Sequence, residues 1–329
     1  MQKKIITFTN YNDLSGNGHF NRCKILISEL SKKKDRYFFT VEKTNYSHEI
    51  KKIYNKVKIF KNYKEAFIEC LSLSKLYNLI LVLDVYDFPN KYIKKFNKIG
   101  IKIIQFDNKI NKKIYCDYYI NFSPLIKKKD FKIENIINKN CKFFLGPRYY
   151  LLRKSIVNNR KKNVNRSLKN IMICFGGSNY LKDKKNFMIS ILSKIERSNN
   201  VYLFSKKKFN YFSDLQKKHL NLKILINKDI ANYIDRIDLS IISGGSLVFE
   251  CIYNGIPVYV MNISDNQIKI SKKWKESKII EFFSSRNFFS SSNKNFFNFL
   301  KLSYFQRKKI FDKNRFLISN NLLLEKLIF

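Results

Sequence analysis

Short apolar runs rich in Ile, Val, Phe and Tyr alternate along this chain with longer stretches whose apolar positions recur at helical spacing. That alternation predicts repeated βα units and a parallel sheet, because parallel strands need a crossover between them. KIITFT at 4–9 reads as the first strand, and RCKILISELSKK from Arg22 as the helix after a Gly-rich loop. RYFFTVE is the next strand. NLILVLDVY at 78–86 is almost continuously apolar, as a strand buried on both faces should be. NKYIKKFNKIG predicts a helix stopped by Gly100, and IKIIQFDN and YCDYYINFS predict two further strands.

The segment KSIVNNRKKNVNRSLKN at 154–170 has no such period and reads as a linker, taken as 156–168 between a first domain at 1–155 and a second at 169–329. After it the pattern restarts. NIMICFGGSNY, NVYLFSKK and LKILINK supply strands, KDKKNFMISILSKIERS a helix, and LSIISGGSLVFECIYNGIPVYVMN completes a second α/β unit. The tail from about 275 to 329 is helical in pattern, with FFSSRNFFSSSNKNFF as a loop before the last helices. The expected fold class is α/β: two Rossmann-like domains facing across a cleft.

Composition narrows the function classes. The 329 residues carry 65 Lys and Arg against 25 Asp and Glu, a formal charge of +40. A charge of that size can mark nucleic-acid binding. However, 54 of the basic residues are Lys, spread through the whole chain, and Arg is the residue suited to bidentate phosphate and base recognition. A solvated basic surface is the plainer reading, with no nucleic-acid partner expected and transient contact with an anionic membrane as the alternative. Six scattered cysteines show no Cys-x-x-Cys, so no zinc site or disulfide framework is expected. No apolar run reaches the ~18 residues of a membrane span, and the first apolar stretch is too short for a signal peptide. The expectation is a soluble, cytoplasmic protein.

Eight of the nine glycines fall in four places: Gly16 and Gly18; Gly146; Gly176 and Gly177; and Gly244, Gly245 and Gly255. Three of these places follow a predicted strand, where α/β folds build a ligand crevice. None fits the dinucleotide fingerprint, and no P-loop occurs. In SGNGHFNRC, His19 stands beside glycines just before the expected helix, where an imidazole can serve as general base; a capping or core histidine is the plainer alternative. His48 and His219 lie in Lys-rich stretches and read as surface residues. Glu250 sits five residues after Gly245, on the helix expected there, where its carboxylate could accept both hydroxyls of a ribose or simply face solvent. Asn266 and Gln267, in SDNQ, suit sugar hydroxyls or a pyrophosphate, with a plain Asx turn as the alternative.

In order along the chain, GNGHFNR, LDVY, QFDN, LGPRYYLLR, ICFGGS and SGGSLVFECIYNGIPVYVMNISDNQ resemble the UDP-sugar hydrolases of pseudaminic acid biosynthesis. Those enzymes cleave UDP-2,4-diacetamido-2,4,6-trideoxy-β-L-altropyranose. The wider resemblance is to GT-B glycosyltransferases such as the peptidoglycan GlcNAc transferase, and it covers about residues 4–270. The resemblance implies that His19 activates water for attack on the anomeric carbon. It implies that Gly16, Gly18, Arg22, Tyr86, Asn266 and Gln267 line the sugar side, with Asp84 just before Tyr86. It also implies that Gly176, Gly177, Gly244, Gly245 and Ser246 hold the diphosphate and Glu250 the ribose, with no cofactor and no metal. The chain departs from the family at Phe8, Thr9 and Asn10, where members carry Arg-x-Asp, and at Asp87, where they carry Gly.

Three function classes follow. In UDP-sugar hydrolysis His19 would act on water. In glycosyl transfer from a UDP donor to a glycan or lipid it would deprotonate an acceptor hydroxyl. A non-catalytic, nucleic-acid-binding protein is the third class, and it leaves the glycines unexplained.

Overall fold

The computed structural model describes residues 1–11, 18–43, 47–85, 88–176, 179–284 and 293–319. Among those of the first part of the chain are seven strands and four α-helices, joined by loops and short 3-10 turns. They are β1 (Lys3–Thr9), α1 (Gly18–Leu30), β2 (Arg36–Thr40), α2 (Ser47–Ile53), β3 (Lys56–Ile59), α3 (Tyr63–Ser74), β4 (Asn78–Asp84), α4 (Asn90–Lys98), β5 (Lys102–Phe106), β6 (Tyr118–Asn121) and β7 (Lys142–Leu145). The strands pair in parallel in the order β3-β2-β1-β4-β5-β6-β7. Consecutive crossovers run outward from β1 in one direction and from β4 in the other. The sheet therefore has a switch point between β1 and β4, whose last residues Thr9 and Asp84 lie in register.

A second compact unit begins at Leu152. It contains α5 (Lys154–Asn158), β8 (Asn170–Cys174), α6 (Lys185–Leu192), β9 (Asn200–Ser205), α7 (Phe212–Lys218), β10 (Leu222–Ile226), β11 (Leu239–Ser243), α8 (Leu247–Tyr253), β12 (Val258–Met261), α9 (Asp265–Glu276) and β13 (Phe282–Ser284). Helices Asn293–Leu300 and Tyr304–Asn314 follow. Its sheet is also parallel, ordered β10-β9-β8-β11-β12-β13, with the switch point between β8 and β11. Each unit has its own apolar core. One gathers Ile6, Phe8, Leu81 and Phe96, the other Ile173, Leu203, Ile241 and Tyr259.

Several elements differ from the sequence reading. Helix α1 begins at Gly18 rather than Arg22, because its buried stripe of Phe20, Cys23, Leu26 and Ile27 starts there. The stretch expected as a loop before the last helices begins with a strand. In β13, Phe282 and Phe283 pair with β12, and Phe282 packs its ring 5.2 Å from that of Phe299. Strands β3 and β7 and helices α2, α3 and α7 lie in stretches where the apolar period is too short or too broken by Lys and Asn to be read.

The segment 154–170 is largely exposed but is fastened to the rest of the second unit at a few points, with Ile156 and Lys161 buried. It opens with α5, and Lys161 is buried, donating to Ile237 O at 2.6 Å and to Asp238 Oδ1 at 3.3 Å. Asp238 also accepts the amides of Lys169 and Asn170, while Arg307 donates to the carbonyls of Asn165 and Arg166. The polar residues that read as a linker are thus the ones that fasten it. Gly255, at φ +65°, passes so close to the helix Tyr304–Asn314 that a Cβ there would lie 2.5 Å from Phe311 Cδ2. That glycine serves packing.

Candidate functional site

The first cluster sits at the switch point of the first sheet. His19 and Arg22 stand three residues apart on α1, so the same helix face presents both toward the end of β4. There Asp84, only 3 % exposed, accepts from both residues. His19 Nδ1 lies 2.6 Å from Asp84 Oδ1. Arg22 Nη2 donates to the same oxygen at 2.9 Å, and Arg22 Nε to Oδ2 at 3.1 Å. The Arg22 guanidinium also lies 5.9 Å and 6.0 Å from the Phe106 and Phe122 rings, which cover it. The Cys23 thiol reaches Asp84 Oδ2 at 3.9 Å.

Burial alone would push the Asp84 carboxyl up. Arg22 and His19 more than offset it, so the group is held below its ordinary value and is a carboxylate. A carboxylate only accepts, so the bridging proton of the 2.6 Å contact sits on His19 Nδ1. In the neutral imidazole the lone pair is then on Nε2. An acid orienting one imidazole nitrogen while the other is basic is the arrangement of a general base. Cys23, by contrast, is pushed well up by burial and stays a neutral thiol.

The second cluster occupies the switch point of the second sheet. Gly176 follows β8 with φ +81°, and Gly244, Gly245 and Ser246 turn the chain from β11 into α8. A Cβ on Gly244 would lie 3.1 Å from each of Asn262 Oδ1, Gln267 Cβ and Ser271 Oγ, so any larger residue must push these side chains back. Two amides expected to hold a diphosphate bond inside the turn instead. Gly244 N–H donates to Gln267 Oε1 at 3.1 Å, and Gly245 N–H to Ser243 O at 2.8 Å. Gln267 accepts from Ile263 N–H as well, so its amide oxygen braces the turn rather than standing ready for a sugar.

Glu250, in the first turn of α8, is buried rather than solvent-facing. Arg153 Nε and Nη2 donate to its two oxygens at 2.8 Å each, and Arg153 Nη1 donates to Asp229 Oδ1 at 2.6 Å. Burial would lower the Arg153 value, but its bonds with Glu250 and Asp229 raise it above the usual, so the guanidinium is a fixed cation. Asn254 carries the same region one turn further. It donates to Glu250 O and accepts from Lys161 N–H, both at 2.8 Å.

Of the residues singled out from sequence, Gly18, His19 and Arg22 are brought together with Asp84, while Gly176, Gly244, Gly245, Ser246, Glu250 and Gln267 lie about one turn. Gly16, Tyr86 and Gly177 fall outside the described residues, as does the side chain of Asn266. His48 is exposed and His219 half-buried at the end of α7. Sequence reasoning misses Arg153 and Asp229. The signal for Arg153 is its place as the last residue of LGPRYYLLR, which by itself does not name a partner. Among the described residues no group of three or more His, Cys, Asp or Glu is placed to hold a metal ion, and no helix is long and apolar enough to cross a membrane.

No protein-family model matches the chain. It is 30% identical over 283 residues to an uncharacterized protein of Methanocaldococcus jannaschii, MJ1062, covering 78% of this chain and 55% of that one. It is 23% identical over 209 residues to the spore coat polysaccharide biosynthesis protein SpsG of Bacillus subtilis, covering 60% of this chain and 59% of that one. The chain thus spans a little over half the length of these curated relatives. Among solved structures, the MurG of Acinetobacter baumannii superposes with a TM-score of 0.69 at 12% identity, over 100% of this chain and 99% of that one. The fold is that of the GT-B glycosyltransferases. UGT2 of Phytolacca americana, solved with UDP-2fluoro-glucose and pterostilbene, has a TM-score of 0.63 at 10% identity over 99% of both chains.

Close packing around Gly244 makes a direct prediction. Gly244→Ala should destabilise the fold and lower the melting temperature by crowding Asn262, Gln267 and Ser271, since overpacking costs about 1–3 kcal/mol. Gly245→Ala, whose Cβ would meet only Ser243 Oγ at 3.9 Å, should melt as the wild type does. Thermal melts of both variants check it.

Proposed function

We propose that this chain is a GT-B enzyme that acts on a UDP-activated sugar, transferring its glycosyl group to a hydroxyl acceptor in the synthesis of a surface or coat polysaccharide. The observation that carries it is the His19–Asp84 contact of 2.6 Å at the switch point of the first sheet. His19 Nε2 removes the acceptor's proton as that oxygen forms its bond to the anomeric carbon. The bond between that carbon and the β-phosphate oxygen breaks, and UDP leaves with the electron pair. The second unit holds the nucleotide, with Glu250 on the ribose and Ser246 toward the diphosphate. The relation to SpsG and the GT-B fold support a donor of this class.

Hydrolysis is the second reading, favoured by the GNGHFNR and LGPRYYLLR motifs. The steps are the same with water in place of the acceptor, and the product is a free amino-deoxy sugar of the pseudaminic type. One assay separates the two. The chain is incubated with UDP-2,4-diacetamido-2,4,6-trideoxy-β-L-altropyranose and with UDP-GlcNAc, without acceptor, and UDP release is followed. Release without acceptor establishes hydrolysis. Binding of UDP without release supports transfer, and failure of UDP to bind or raise the melting temperature overturns both readings.

A further inference from the structure

The phenylalanines are not distributed as packing alone would place them. The chain has 30, and among the described residues the exposed ones are Phe297 at 41 %, Phe305 at 80 % and Phe316 at 77 %. All three lie in or just after the last two described helices, Asn293–Leu300 and Tyr304–Asn314. Bare aromatic rings gathered in one short stretch mark a surface that something covers. We propose that these two helices form a peripheral docking surface for an anionic lipid membrane. Phe297 and Phe305 enter the headgroup region, and Lys294, Lys301 and Lys309 bind its phosphates.

Helical spacing assigns these residues to the outward faces. In Asn293–Leu300, Phe296 and Phe299 turn into the core, with rings 4.9 Å from Tyr259 and 5.2 Å from Phe282 respectively. Lys294, Phe297 and Lys301 are spaced by three and four, and the last turn runs on to Lys301, whose N–H donates to Phe297 O at 3.1 Å. They therefore share the opposite face. In Tyr304–Asn314 the buried residues are Arg307, Phe311 and Asn314, which leaves Phe305 and Lys309, four apart, outside. The turn between the helices is short. Leu302 is buried, and Ser303 caps the second helix by accepting from Gln306 N–H. Along the chain the outward residues thus run Lys, Phe, Lys, Phe, Lys. Phe316, just beyond, has the Arg315 guanidinium 5.4 Å from its ring.

Charge decides what covers this face. Between residues 293 and 316 the one carboxylate is Asp312, which Lys308 already engages at 2.6 Å. A second copy would set the same lysines against themselves, in a chain of formal charge +40. An anionic bilayer supplies opposite charge and an apolar layer together. A lysine near such a surface contributes about fivefold to partitioning, and a part-buried Phe about tenfold. Among the described residues no helix is long and apolar enough to cross a membrane, so the helices lie on it. Docking needs neither His19 nor the nucleotide, and so stands apart from the enzymatic reading.

The test is cosedimentation of the full chain with phosphatidylcholine vesicles, with and without phosphatidylglycerol. Wild type should pellet with the anionic vesicles and not with the neutral ones. Phe305→Ser should weaken that binding about tenfold, and Lys294→Gln, Lys301→Gln and Lys309→Gln together about 100-fold. All four side chains are exposed, so melting temperatures should stay near the wild type. A control triple, Lys127→Gln with Lys128→Gln and Lys129→Gln, removes equal charge from an exposed stretch of the first unit and should weaken binding far less. Phe305→Trp gives a local readout. Its emission should shift to the blue with anionic vesicles, whereas the native Trp274 is already buried. Equal losses in the two triples, no loss in Phe305→Ser, equal binding to neutral vesicles, or no blue shift would each overturn the proposal. So would a lipid-free dimer that Phe305→Ser dissolves, which assigns the face to a second copy, or a single-stranded oligonucleotide that needs the same residues.

Discussion

Replacing His19 by alanine should lower turnover about 10³-fold while leaving UDP affinity within a few fold, since general-base catalysis contributes roughly 10²–10⁴. The split follows from the residue's place. His19 is in the first unit beside Asp84, whereas the nucleotide-holding candidates Glu250 and Ser246 belong to the second. Asp84→Asn should lose nearly as much activity, because an amide can donate to Nδ1 and so place the proton on Nε2, the wrong nitrogen. It should also cost stability. Arg22 and His19 are largely buried, and removing the charge between them leaves the guanidinium uncompensated, an effect of about 3–5 kcal/mol for a buried pair.

The stability loss has a defined pH dependence. The folded Asp84 carboxyl is held below its ordinary value, because Arg22 and His19 outweigh the burial that would raise it. Its contribution is therefore present above the unfolded value of about 3.9 and is lost as pH falls through the folded one. Thermal melts of wild type and Asp84→Asn should differ by a constant amount near neutrality and converge below about pH 4. Curves that stay parallel into acid would mean that Asp84 is not the ionised partner of Arg22. Turnover that survives in His19→Ala would remove the imidazole from the chemistry.

The second large effect is expected at Glu250. Glu250→Ala should weaken UDP binding about 10- to 100-fold, the range for losing a hydrogen bond to a charged group. Arg153→Met should do much the same without touching the nucleotide. It leaves a buried carboxylate with neither of its 2.8 Å donors, and it also takes the cation from Asp229. The double variant should then be little worse than either single one, because both remove the same unit. Calorimetric Kd values for the three variants decide it. Additive losses would mean that Arg153 and Glu250 act independently.

Most of the secondary elements are legible where the apolar signal is strong. NLILVLDVY contains β4 and LSIIS is β11, because a strand buried on both faces must be apolar throughout. Pattern and structure part where another interaction outweighs the period. The 154–170 stretch looks solvated because its residues are basic and Asn-rich. Lys161 instead pairs with Asp238 in the interior while Arg307 donates to the carbonyls of Asn165 and Arg166, and such point contacts leave no periodicity. The pattern starts helix α1 too late because a glycine and a histidine resemble a loop, although Phe20 already faces the core.

The site divides in the same way. By itself the sequence determined that glycines cluster after strands, that His19 is the distinctive imidazole, and that Glu250 follows a Gly-Gly-Ser turn. These are local facts, set by which residues permit a tight turn or carry a proton. Only the tertiary structure decided which partners they have. Strand order places β1 beside β4, and so sets His19 against an aspartate 65 residues away; it likewise brings Arg153 to a glutamate 97 residues on. Both clusters stand at the point where neighbouring strands send their crossovers opposite ways, which opens a crevice at the strand ends. A carboxylate buried there requires a cation, and a chain with 65 of them does not mark which one until the fold brings it close.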